Sequence, residues 1–195
     1  MNSNEIKIVV ETLVNTFLEA GKISLELRKK GLIKKMKSDN TPVSNGDIEV
    51  NKIISKKISQ INPNIPIISE ETSENKNLNN LQNFWLIDPI DGTHDYINNL
   101  DEFTLNAGLI MNRQPVGGLI FAPAKNRMFY SYGDNFAFEI INGNPIKLDS
   151  SKNFDKNSIK FVSYSHRIKP EIEQIHKKLN VKKFVTVPPE FIKRA

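Results

Sequence analysis

Residues 85–97 read WLIDPIDGTHDYI. Trp85, Leu86 and Ile87 have the character of a buried strand, and that strand runs straight into Asp88-Pro89, with Asp91 three residues beyond Asp88. Carboxylates at a strand end are costly unless something cationic sits beside them. Pro89 fixes its own φ and donates no hydrogen bond, which forces a tight turn. The spacing of three then lets Asp88 and Asp91 face one point, with the backbone carbonyl of Ile90 between them as a candidate third oxygen. Glu70, from SEET at 69–72, completes an all-oxygen set without His or Cys, the preference of Mg²⁺ rather than Zn²⁺. Next, Gly92-Thr93 opens a short helix; backbone N–H groups at a helix start bind phosphate, and Gly permits close approach. Metal and phosphate cradle together suit metal-assisted phosphoester hydrolysis. The bland alternative makes Asp88 and Asp91 turn formers and Thr93 a helix cap. On these residues alone the two readings stand side by side.

The rest of the chain sets the frame. At 195 residues it is one domain by length, or slightly more, with room for a sizeable core. Its 25% charged and 38% hydrophobic content is that of a soluble globular protein. The absence of cysteine excludes disulfides and thiolate metal sites and suits a reducing compartment. Glu5, Glu11, Glu19 and Glu26 interrupt every apolar stretch of a would-be signal peptide, and no uncharged apolar run approaches the ~18 residues of a membrane span. The expected location is the cytoplasm, with no integral membrane segment. Charge is uneven: residues 1–150 hold 16 basic and 18 acidic residues, residues 151–195 hold 11 and 4. The late lysines are scattered, without the aromatic interleaving of a single-strand binder, so they read as solvated surface and no nucleic-acid partner is expected.

Periodicity predicts a long amphipathic helix over 4–30, stopped by Gly31, and a second helix from the N-cap Ser44 to about Asn62-Pro63. IPII (65–68) reads as a short strand delivering Glu70-Glu71, and 75–83 as a polar loop or short helix. Segments 103–111, 115–123, 127–132 and 135–140 read as strands separated by turn residues such as Asn112, Gly133-Asp134 and Asn142-Gly143. Then 159–165 reads as a strand, 169–179 as a helix with Pro170 at its start, and 182–187 as a strand. The expected order is helices, then a largely antiparallel sheet, then an α/β piece.

WLIDPIDGT, preceded by SEET and by TPVSNGD at 41–47, resembles the three-part pattern of the inositol monophosphatase superfamily of Mg²⁺-dependent phosphatases. Within it, KSDNTPVSNGD, NIPIISEE, DGTHDYINNLDEFTLNAGLI, PVGGLIFAPAKNRM and FVSYSH resemble the CysQ-type 3'(2'),5'-bisphosphate nucleotidases. The resemblance runs from the first helix to about residue 180. It implies the layered αβαβα sugar-phosphatase fold, with a complete N-terminal helix and antiparallel-sheet domain over 1–142, carrying the metal site, and the start of an incomplete C-terminal α/β domain over 143–195. It implies removal of the 3' phosphate from adenosine 3',5'-bisphosphate, with an inositol or sugar monophosphatase, or an inactive fragment of such an enzyme, as alternatives.

Position by position, the resemblance makes Glu70, Asp88 and Asp91 side-chain ligands of Mg²⁺ and Ile90 a ligand through its carbonyl. Asp47 and Thr93 form the pair that orients and deprotonates the attacking water. The Gly92 and Thr93 amides hold the phosphate, so that Glu70, Ile90, Asp91, Gly92 and Thr93 line the substrate. Glu71 reads more as a surface acid than as an acid behind the ligands, and Lys37 equally as an active-site or a solvated lysine. His94 and His176 read as surface residues, and His166 is a lesser candidate for lining a nucleotide site. The implied partner is a small phosphorylated nucleotide; a homodimer and peripheral attachment at the inner membrane are compatible with the resemblance. One departure stands out. The family's later W-D-x-A-A segment, whose Asp completes a second metal site, has no counterpart, since the single Trp is Trp85. The expectation is a C-terminally truncated chain with impaired turnover.

Overall fold

Asn2 starts the first helix. Its side-chain oxygen accepts from the Glu5 amide at 2.9 Å while the Glu5 carboxylate accepts from the Asn2 amide at 2.8 Å, a capping box that satisfies both donors. This helix, α1 (Ser3–Lys30), ends at Gly31, whose φ of 99° suits a residue without Cβ. In this computed structural model the described residues are 1–37, 41–72, 81–149, 160–163, 169–179, 181 and 183–186. Ile6, Val10, Leu13, Phe17 and Ala20 form the buried stripe of α1, and Val50, Ile54 and Ile58 recur every fourth residue along α2 (Asn45–Ile61). Both stripes match the helical period read from the sequence.

Between the helices lies a two-stranded antiparallel ribbon, β1 (Lys34–Met36) with β2 (Pro42–Ser44). The main sheet has seven strands in sequential order: β3 (Ile67–Ser69), β4 (Phe84–Asp91), β5 (Thr104–Met111), β6 (Gln114–Ala122), β7 (Arg127–Tyr132), β8 (Ala137–Ile141) and β9 (Asn144–Lys147). Among the described residues of this sheet, β3 and β4 pair in parallel and every later neighbour is antiparallel. One face of the sheet supplies Trp85, Ile87, Leu105, Leu109, Leu119, Phe121, Met128 and Tyr130 to the same core as the two helix stripes. Close helix–sheet approach depends on small residues: a Cβ on Gly21 of α1 would run into the Phe121 ring, and one on Gly117 of β6 would meet Val10 at 2.9 Å. A short helix, α3 (Thr93–Ile97), follows β4 directly.

The chain divides into two compact units, Met1–Leu148 and Asp149–Ala195. The boundary expected after residue 142 falls inside a hairpin, because β9 pairs with β8 across Asn142-Gly143, both at positive φ. The second unit contains β10 (Lys160–Ser163), α4 (Pro170–Lys178) and β11 (Lys183–Thr186), with β10 and β11 parallel. That is the α/β order read from the sequence. His166 and most of 75–83 lie outside the described residues.

Tyr96 of α3 is fully buried, and its hydroxyl donates to the Ser24 carbonyl of α1 at 2.7 Å. Burial, with a smaller contribution from the nearby Asp47 charge, pushes its phenol well above the ordinary 10.0. The unfolded phenol therefore ionises above about pH 10 while the folded one stays neutral, so stability present below that pH is lost as pH rises further. Tyr96→Phe should lower stability near pH 7 by about 1 kcal/mol, through the lost hydrogen bond, yet flatten the alkaline decline. Urea unfolding of both proteins near pH 7 and at about pH 11 measures the two effects; equal slopes with pH would remove Tyr96 from that limb.

Candidate active site

In a regular strand, residues three apart point to opposite faces. Along β4, Asp88 stands opposite Asn106 and Asp91 opposite Thr104, with a register shift between the two pairs. Three residues on β4 are thus matched by two on β5, a β-bulge of one residue. Asn106 and Thr104 share a face of β5, so the bulge returns Asp91 to the side of the sheet on which Asp88 lies. The turn expected from Pro89 is this bulge within a continuous strand, and it accomplishes the same convergence.

Glu70 follows β3. Its amide donates to the Ile87 carbonyl at 3.1 Å, and since Ser69 stands beside Ile87, Glu70 is seated next to Asp88. Ser69 is itself buried and donates to the Asn51 side chain of α2 at 2.7 Å, tying this strand end to the helix layer. Carboxylates from Glu70, Asp88 and Asp91 with the Ile90 carbonyl make a donor set of oxygen alone, chemistry that fits a hard divalent cation. Among the described residues, no three acids are drawn around one point as they stand.

Lys37 lies just beyond β1. Its Nζ lies 2.8 Å from Glu71 Oε1 and 3.2 Å from Glu70 Oε1. The Glu71 side chain is only 7% exposed against 48% for Glu70, so Glu71 is not the surface acid expected. Desolvation dominates there and raises the Glu71 carboxyl above its usual range, outweighing the attraction of Lys37. For Lys37 burial acts downward, but the two carboxylates together outweigh it and hold the ammonium above its ordinary value. The pair shifts upward at both ends because its acid is the more deeply buried partner.

Asp47 and Thr93, 46 residues apart in sequence, are in direct contact. Thr93 Oγ1 lies 3.0 Å from Asp47 Oδ1 and 3.0 Å from the Ile90 carbonyl. The other Asp47 oxygen accepts from the Ser44 amide at 2.8 Å and the Ser44 hydroxyl at 2.6 Å, closing the capping box of α2. One buried carboxylate thereby caps a helix and grips the threonine. Thr93 does not cap α3; that position belongs to Gly92, at φ 93° and ψ 38°. The His94 side chain is 79% exposed, the surface residue expected, whereas His176 is half-buried rather than exposed.

The sequence reading missed how the pair is held. The Tyr96 ring lies against Gly46, the neighbour of Asp47, so closely that a Cβ on Gly46 would overlap the phenol. Tyr96 stands one helical turn after Thr93. The only available signals were the glycine before Asp47 and an aromatic in a polar stretch.

A bulged strand ending in two acids, a glycine turn and a threonine bound to a distant buried aspartate together characterise this site. The chain belongs to the inositol monophosphatase family, whose model matches residues 6–188. Among curated proteins it is similar to the 3'(2'),5'-bisphosphate nucleotidase CysQ of Buchnera aphidicola, 43% identical over 100 residues that cover 51% of this chain and 38% of that protein. It is also similar to CysQ of Haemophilus influenzae, 32% identical over 160 residues, covering 77% of this chain and 56% of that protein. The chain thus spans 38% and 56% of the length of these two relatives. Among solved structures, CysQ from Bacteroides thetaiotaomicron superposes with a TM-score of 0.64 at 21% identity, over 91% of this chain and 72% of that one. The extragenic suppressor protein suhB from Bartonella henselae superposes with a TM-score of 0.66 at 20% identity, over 92% and 70%. These superpositions establish the layered fold of helices and mixed sheet. No helix among the described residues is long and apolar enough to cross a membrane.

Proposed function

We propose that these residues serve a Mg²⁺-dependent phosphomonoesterase of the 3'(2'),5'-bisphosphate nucleotidase type, converting adenosine 3',5'-bisphosphate to AMP and phosphate. The observation that carries the reading is the Thr93–Asp47 hydrogen bond beside the bulge that aligns Asp88 and Asp91. The CysQ relatives favour a bisphosphate nucleotide as substrate. Mg²⁺ held by Glu70, Asp88, Asp91 and the Ile90 carbonyl would supply Lewis-acid stabilisation of the phosphate and a more acidic water. Thr93 Oγ1 keeps lone pairs for the attacking water; as it takes the water's proton, its own proton passes to Asp47 Oδ1. Ser44 holds the far oxygen of Asp47 and so fixes the direction in which the near one points. We assign the Gly92 and Thr93 amides to the phosphate oxygens and place the reaction in the cytoplasm.

Phosphate release from adenosine 3',5'-bisphosphate and from inositol monophosphate at millimolar Mg²⁺ tests this reading, in this chain and in one continued with a relative's C-terminal segment. Faster release from the nucleotide is the expected result. Preference for the inositol ester would overturn the substrate, and no release by either chain would overturn the activity. For the metal, Asp88→Asn should weaken Mg²⁺ binding by at least about tenfold, since even groups that merely orient metal ligands contribute ten- to hundredfold. Calorimetric titration gives the number; unchanged affinity would exclude Asp88 as a ligand.

A further inference from the structure

Glu70 has a cation on it: the Lys37 ammonium. Lys37 bridges Glu70 and Glu71 at 3.2 and 2.8 Å, and its own side chain is only 22% exposed. Two adjacent carboxylates, one of them nearly buried, repel each other and lose hydration, so a counter-charge is required when no metal is present. We propose that the Lys37 ammonium is an exchangeable counter-ion, neutralising the Glu70-Glu71 pair in the metal-free protein and leaving Glu70 when a divalent cation binds. The inference rests on the metal-site reading above.

The geometry supports exchange rather than a fixed strut. The Lys37–Glu71 contact is the shorter, and Glu71 the less exposed acid, so Glu71 anchors the lysine. The Glu70 contact is longer and about half exposed, the kind of ion pair worth at most about fivefold in an equilibrium. Glu70 can therefore be surrendered at small cost while Glu71 keeps the ammonium close. A dication near Glu70 would in turn repel the lysine. Bound and free states would differ in which cation Glu70 faces.

Two measurements on the full chain, with magnesium chloride as the only added ligand, test the exchange. Amine labelling with acetic anhydride, read by mass spectrometry, should show Lys37 reacting about fivefold faster with Mg²⁺ present, relative to the exposed Lys35. A lysine that served only to support the fold would not respond. Calorimetry on Lys37→Met, its folding checked by circular dichroism, should show Mg²⁺ affinity raised by about fivefold, because a competitor and a like charge have both gone. Lowered affinity would mean that Lys37 positions Glu70 for the metal, and would overturn the exchange. Unchanged labelling in a chain whose Mg²⁺ binding still depends on Asp88 would overturn the exchange alone. If neither protein binds Mg²⁺, the metal-site reading falls and this inference with it.

Discussion

Thr93→Ala is expected to slow phosphate release by about 10²–10⁴-fold, the range for losing a group that moves a proton in the transition state. Affinity for Mg²⁺ should stay where Asp88 and Asp91 set it. The two readouts separate because the Thr93 hydroxyl faces Asp47 and the Ile90 carbonyl rather than either acid of the bulge. Thr93→Ser retains the hydroxyl and should recover most of the rate. The alanine variant also leaves the buried Asp47 Oδ1 without that donor, at about 1–3 kcal/mol, so thermal unfolding belongs beside the kinetics. A near-normal rate with metal binding intact would reduce Thr93 to a structural tie between α2 and α3.

Trp85→Ala should be the most damaging single change to the fold. The side chain is completely buried, and its Nε1 donates to Asn62 Oδ1 at 3.0 Å, joining the sheet to the C-cap of α2. Removing a buried Trp typically costs about 3–5 kcal/mol, which lowers the melting temperature of a unit this size by roughly 10 °C or more. Since Trp85 is the only tryptophan, circular dichroism rather than fluorescence must follow the variant. A shift of only a degree or two would show that the core collapses into the space.

What could be read from the sequence follows the strength of local signals. The stripes of α1 and α2 are long and regular, and the N-cap Ser44 names its helix start, so both helices were legible. The strands from β5 to β8 carry runs of branched and aromatic residues between turn formers, and they too were legible. β1 and β2 have three residues each, too few for any period to declare itself. β9 was lost although Asn142-Gly143 announces a hairpin, because NPIK is polar and contains a proline, which only an edge strand tolerates. At the site, the acids were legible as residues but not their environments. Glu71 looks like any surface acid until the fold buries it against Lys37 from 34 residues away. Likewise, a spacing of three implied a turn, and only pairing with β5 shows that the strand continues through it.

That bulge has a consequence for how the site tolerates change. Strands count in twos, so two acids could share a side either at even spacing in a plain strand or at odd spacing with one residue absorbed. The even solution would supply two carboxylates and leave the carbonyl between them committed to the regular ladder. The odd solution inserts a peptide unit whose oxygen, that of Ile90, already receives the Thr93 hydroxyl. No side-chain substitution at position 90 deletes that oxygen; it can only disturb the packing of a residue that is 1% exposed. The backbone contribution is thus indifferent to spelling and sensitive to length: a one-residue deletion between the aspartates would keep both acids on one side but return the intervening carbonyl to the regular ladder, away from the threonine.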